Sequence, residues 1–163
     1  MNTRRLTKLA LLSAIALIIF IIELRIPNLI PIPGVKLGLA NIITVYAVYS
    51  CKPGEVWLIV LVRLVLGSMF SGTAVSFLYS FAGAVFCLCG MLLLRHVIPK
   101  SHLWLASPCG AVCHNVGQIT AAILLMGTTA ILVYLPVLLF SGILSGLFTG
   151  ICAQILVNRL PMS

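Results

Sequence analysis

Apolar runs about as long as a bilayer crossing follow one another along almost the whole chain, separated by short breaks rich in Pro, Gly and basic residues. A crossing helix needs about 20 apolar residues. A soluble fold of 163 residues has too little interior to hide six such helices. The charged fraction agrees: it is 7% here, against about 25% in soluble domains. The pattern implies an all-α integral membrane protein, a six-transmembrane-helix bundle in a single membrane domain over 1–163. Helices are expected at 6–24, 38–50, 54–66, 73–98, 103–126 and 130–156. Those crossings use nearly the whole length, leaving no segment for a soluble catalytic domain or an ATPase. The basic start before the first apolar run resembles a secretory signal. No small-x-small cleavage site precedes Pro27, so an uncleaved first helix is expected.

The acidic residues restrict the chemistry. The chain has two, Glu23 and Glu55, and no Asp. Mg²⁺-diphosphate enzymes, nucleotide hydrolases and two-carboxylate glycosidases all gather several acidic groups, so the residue chemistry disfavours an enzyme. The net charge of +8 reads as a topology signal rather than a nucleic-acid footprint. With the N-terminus inside, the inner side holds Arg4, Arg5, Lys8, Lys52, Arg95, Lys100 and Arg159. The outer side holds Arg25 and Lys36, with Arg63 ambiguous. That asymmetry predicts a multi-pass protein of the cell membrane with both termini in the cytoplasm. Six cysteines raise the question of a metal. Cys87 and Cys89 fall on different helix faces, Cys109 and Cys113 share one, and no Cys/His set completes a tetrahedral zinc pattern. Packed thiols, with no metal and no cofactor, are expected.

Against this background Cys113-His114-Asn115-Val116-Gly117-Gln118 stands out. His114 and Gln118 share a helix face, with Asn115 one step round. Polar groups in a membrane are costly unless they face a bundle interior, a cavity or a ligand. Arg63 is the other costly group. It reads either as an anchor for a ligand anion or as a charge that snorkels to the interface. Gly38, Asn41 and Thr44 give helix 2 a small, polar face. The intervening Pro27–Gly34 stretch reads either as a lid over a site or as an interfacial re-entry. Glu23 and Arg25 read as an interfacial ion pair, and Gly67–Thr73 as a turn.

Small residues mark packing faces. Ala10 and Ala14, one turn apart on helix 1, suit close approach of another helix, in this chain or in a partner. Ser76, Ser80, Gly83, Cys87 and Gly90 stripe helix 4, and Gly110, Cys113 and Gly117 stripe helix 5. Gly142, Gly146 and Gly150 stripe helix 6, where Pro136 is placed to kink the helix. If helices 2, 3 and 5 meet, Asn41, Arg63, His114, Asn115 and Gln118 wall a cavity open to the outside. Such a cavity suits a small, partly apolar or anionic ligand. The competing interpretation is a hydrogen-bonded polar knot joining helices 5 and 2. A redox-associated protein, with His114 near a quinone, flavin or haem, is a further alternative.

Several motifs carry a resemblance across nearly the whole chain: Pro33-Gly34-Val35-Lys36-Leu37-Gly38-Leu39-Ala40-Asn41, Arg63 with Gly67 and Ser71-Gly72, His114-Asn115-Val116-Gly117-Gln118, and Tyr134-Leu135-Pro136. With these the chain resembles the Gx transporter family, also labelled heptaprenyl diphosphate synthase component I. That family is similar to the substrate-binding S components of energy-coupling factor (ECF) transporters. The resemblance implies a six-helix protein that binds a scarce small molecule outside. It also implies a shared transmembrane coupling subunit, served by two ATPases, that docks on an A-x-x-x-A face of the first helix, here Ala10 and Ala14. The second label implies support of polyprenyl diphosphate or quinone synthesis, although the aspartate-rich segments of prenyl synthases have no counterpart in this chain.

Overall fold

A backbone in hydrocarbon must satisfy its own N–H and C=O groups, and helices do this within one segment. The computed structural model describes residues 3–26, 38–71 and 74–159. It contains six α-helices: α1 (Thr3–Arg25), α2 (Asn41–Ser50), α3 (Pro53–Ser71), α4 (Ala74–Leu94), α5 (Leu103–Met126) and α6 (Leu135–Arg159). Short 3-10 turns at Lys100–His102 and Thr129–Tyr134 lead into α5 and α6, and no strand occurs among the described residues. The protein is a multi-pass membrane protein, with five helical segments long and apolar enough to cross a bilayer. Their outward faces carry exposed Leu, Ile, Val and Phe, such as Leu11, Ile18, Phe70, Leu124 and Phe148. Lipid, not water, suits such a surface.

The short helix is the one that makes a site possible. α2 has 10 residues and so rises about 15 Å, roughly half of a 30 Å hydrocarbon core. It is enclosed by α1, α3, α4 and α6, with every residue from Ile43 to Tyr49 buried. Its start therefore lies inside the bundle, and irregular backbone there is tolerated only if enclosed or facing a cavity. The Pro-rich stretch and Lys36, for which a lid or a re-entry was expected, lie outside the described residues, as do Gly72 and Thr73.

The glycine stripe of α6 packs on α5. A Cβ on Gly150 would lie 2.9 Å from Trp104 Cα and on Gly146 2.7 Å from Pro108 Cα, and on Gly142 it would collide with Asn115 Nδ2. Polar contacts join the same two helices. Ser107 and Thr149 share a hydrogen bond of 3.0 Å, and Gln154 Oε1 accepts from Leu103 N at 2.8 Å. The Gly83, Gly90, Gly110 and Gly117 contacts close α4 on α5 in the same manner, meeting His114, Cys113, Met91 and Phe86.

Three helix boundaries and the site of the helix-interior proline differ from expectation, each for a local reason. α3 continues through Gly67 to Ser71 because Gly67 abuts the Phe20 ring of α1, where an added Cβ would lie 2.7 Å away. α4 ends at Leu94; Pro99 follows closely, and Arg95 donates from Nη1 to Val48 O of α2 at 3.5 Å. Pro136 sits in the first turn of α6, where its missing N–H costs nothing, so it opens that helix instead of kinking it. The helix-interior proline is Pro108 of α5. It leaves the Trp104 carbonyl without its usual donor, and Gly150 lets α6 approach that oxygen.

Candidate functional site

At the start of α2 a cavity of about 90 Å³ opens, and all six helices contribute to its wall. Gly38 precedes α2 with φ of 69°, a left-handed conformation that glycine adopts without steric cost. This turn aims the Gly38 N–H at α1, where Glu23 Oε1 accepts it at 2.5 Å. Glu23 is thereby turned inward and only 9% exposed, while Arg25 is exposed at the helix end. The expected Glu23–Arg25 ion pair does not form, since residues two apart point to different faces of a helix.

Arg63 enters from α3. Its side chain is 7% exposed, and Nη1 donates to Asn41 Oδ1 at 3.2 Å and to Thr44 Oγ1 at 3.4 Å. The snorkelling alternative is thus not the geometry adopted. A charged residue at the centre of a crossing helix costs about 2.5–3.5 kcal/mol on insertion scales. The neutral acceptors on α2 offset only part of that. Glu23 lines the same cavity, but among the described residues no direct ion pair joins it to Arg63.

The α5 cluster divides its labour. Asn115 is buried and donates from Nδ2 to Leu138 O of α6 at 2.5 Å, in the space that Gly142 leaves open. This is a polar knot, but it ties α5 to α6, not to α2 as the sequence suggested. Asn41 of α2 bonds across to α3 instead. His114 and Gln118 lie over Gly83 of α4, where an added Cβ would meet His114 Cε1 at 2.7 Å and Gln118 Cγ at 2.9 Å. Asn41, Arg63, His114, Asn115 and Gln118, drawn from three separate parts of the sequence, all line this one cavity.

Two polar atoms of that wall, Arg63 Nε and Gln118 Oε1, are buried without a hydrogen-bond partner among the described residues. Leaving such an atom unsatisfied costs about 1–3 kcal/mol. Here one is a donor and one an acceptor. The cavity thus presents an unmet demand for a group that accepts at Arg63 and one that donates at Gln118. Glu23, Ser80, Ser141 and Ser145 also line it, none of them assigned to a site from sequence. Glu23 carried a signal, as one of only two acids in the chain. The serines had none that separated them from a packing stripe.

Ala10 and Ala14, in contrast, lie on the outer face of α1 together with exposed Leu11, Ile15, Ile18 and Ile22. Neither faces a helix of its own bundle.

The model of the family described as heptaprenyl diphosphate synthase component I matches residues 12–156. No curated protein and no solved structure matches the chain. The chain belongs to the heptaprenyl diphosphate synthase component I family.

Proposed function

We propose that this family member is the substrate-binding membrane component of an ECF-type uptake transporter. One observation carries the reading: a single cavity brings together Asn41, Arg63, His114, Asn115 and Gln118, and within its wall a buried donor and a buried acceptor lack partners. A bound small molecule would satisfy both. Its acceptor or anionic end meets Arg63, its donor meets Gln118, and Asn41 and His114 fix its orientation. The Glu23 carboxylate in the same wall favours a ligand of balanced charge, or a polar neutral one, over a bare anion. The protein lies in the cell membrane with both termini cytoplasmic, and the ligand reaches the cavity from the outer face.

Uptake in this scheme needs an energy source, which partner subunits supply. A transmembrane coupling subunit docks on the exposed Ala10–Ala14 face, where small side chains permit close helix approach, and its ATPases drive the cycle. The full chain, co-expressed with an ECF-type coupling subunit and its ATPases, should purify as a complex with them. Ala14→Trp should abolish that complex without unfolding the bundle, because the side chain faces outward. No complex with the wild type, or one indifferent to Ala14→Trp, would overturn the docking face and the transporter reading with it.

The family's description favours a second reading, in which the chain is a non-catalytic membrane subunit supporting polyprenyl diphosphate synthesis. It requires a stable complex with a soluble synthase and a change in that enzyme's activity when this chain is removed.

A further inference from the structure

The opposite end of the bundle holds a second, larger pocket, and its chemistry differs from that of the central cavity. It measures about 470 Å³, within the roughly 300–1,000 Å³ range of small-molecule sites. Arg4, Arg5 and Lys8 of α1 line it, with Ser50 and Cys51 at the end of α2 and Glu55 in the first turn of α3. Arg5 forms an ion pair with Glu55, donating from Nη2 to Oε2 at 3.0 Å. Glu55 Oε2 also accepts from Lys52 N at 2.9 Å, which caps α3.

One carboxylate therefore faces three cations. The chain's only other acidic side chain, Glu23, lies at the far end of α1 beside the central cavity, so Glu55 is the one acidic side chain that lines this pocket. The positive end of the α3 dipole opens toward the same place. Leu6 and Leu11, on the same helix as the three cations, are exposed on the membrane-facing surface. A pocket of this kind sits where a membrane amphiphile would bring its headgroup.

We propose that this pocket binds a phosphate-bearing anion, held by Arg4, Arg5 and Lys8 with the Ser50 hydroxyl as a further hydrogen-bond partner. The chemistry is shared by two sources, the phosphate headgroup of an anionic lipid and a free phosphate or diphosphate. Basic pockets between transmembrane helices are known to select such groups. The site is separate from the ligand cavity and does not depend on the transporter reading.

The test uses the full chain in nanodiscs. In one arm the discs are phosphatidylcholine with or without phosphatidylglycerol, and native mass spectrometry reads lipid retained by the protein. In the other, inorganic diphosphate is titrated into the phosphatidylcholine discs by calorimetry. The pocket variant Arg4→Gln/Lys8→Gln spares the Arg5–Glu55 pair. The control Lys100→Gln/Arg159→Gln removes equal charge from exposed residues at the same end but outside the pocket. Affinity in the responding arm should fall about thirtyfold in the pocket variant, roughly fivefold per charge, and little in the control. Retained phosphatidylglycerol assigns the lipid source, and a diphosphate isotherm assigns the free anion. No binding in either arm, or equal loss in the two double variants, would overturn the site. If the pocket variant fails to fold, Arg4→Gln alone, at an exposed residue, carries the same comparison with a fivefold loss expected.

Discussion

Replacing Gly142 by alanine pits two well-defined effects against each other. In an unobstructed helix interior the change stabilises by about 1 kcal/mol, because alanine is the better helix former. Here the new Cβ would collide with Asn115 Nδ2 and stand 3.4 Å from Asn115 Cγ. The amide must move aside, since unstrained non-bonded contacts need roughly 3.5 Å. It then loses its 2.5 Å bond to Leu138 O. Overpacking costs about 1–3 kcal/mol, and a buried amide left without its acceptor costs about 1–3 kcal/mol more. After the propensity gain the net loss is about 1–5 kcal/mol. Equilibrium unfolding in mixed detergent should therefore show Gly142→Ala destabilised. In an Asn115→Ala background the obstruction is gone, so the same change should become neutral or stabilising. The sign reversal is the signature of the α5–α6 knot. A stabilising Gly142→Ala in the wild-type background, or equal effects in both backgrounds, would refute the packing described for these helices.

Other consequences are open to direct measurement. Arg63→Met removes a buried charge whose cost is about 2.5–3.5 kcal/mol and orphans the Asn41 Oδ1 acceptor, which costs about 1–3 kcal/mol, so the melting temperature should hold or rise while ligand retention is lost. A fall of many degrees would show that Arg63 serves the fold instead. Gln154→Ala removes the acceptor for Leu103 N and the donor to Lys100 O, and should cost about 1–3 kcal/mol of stability without changing ligand retention. His114→Ala and Gln118→Ala should each weaken ligand binding at least tenfold, about 1.4 kcal/mol, with the bundle intact by size-exclusion profile. Unchanged affinity in both would move the site elsewhere.

Much of this architecture is legible in the sequence because a bilayer leaves a chain few choices. Length, hydropathy and breaks locate the helices, and α5 falls at the residues expected, from Leu103 to Met126. The cost of polar groups in hydrocarbon points to Arg63, His114, Asn115 and Gln118 before any packing is known. What the sequence hides is direction. Glu23, near a helix end, looks like an interfacial charge until the Gly38 turn, formed fifteen residues later, draws it inward. Asn115 is adjacent to His114, yet it serves α6 while His114 rests on α4, a partition set by which glycines face it. The shortness of α2 is legible, since the run at 38–50 falls well below a crossing length; what the sequence hides is its enclosure by four neighbours, which explains how a helix of 10 residues sits inside the bundle.

The central claim is that the cavity at the start of α2 holds a small molecule which meets the demands of Arg63 and Gln118. Untargeted mass spectrometry of small molecules carried through purification by the full chain tests it most directly, with wild type and Arg63→Met prepared side by side. The account predicts at least one small polar compound enriched in the wild-type preparation and absent from the folded Arg63→Met preparation. Identical small-molecule profiles from the two proteins would contradict it.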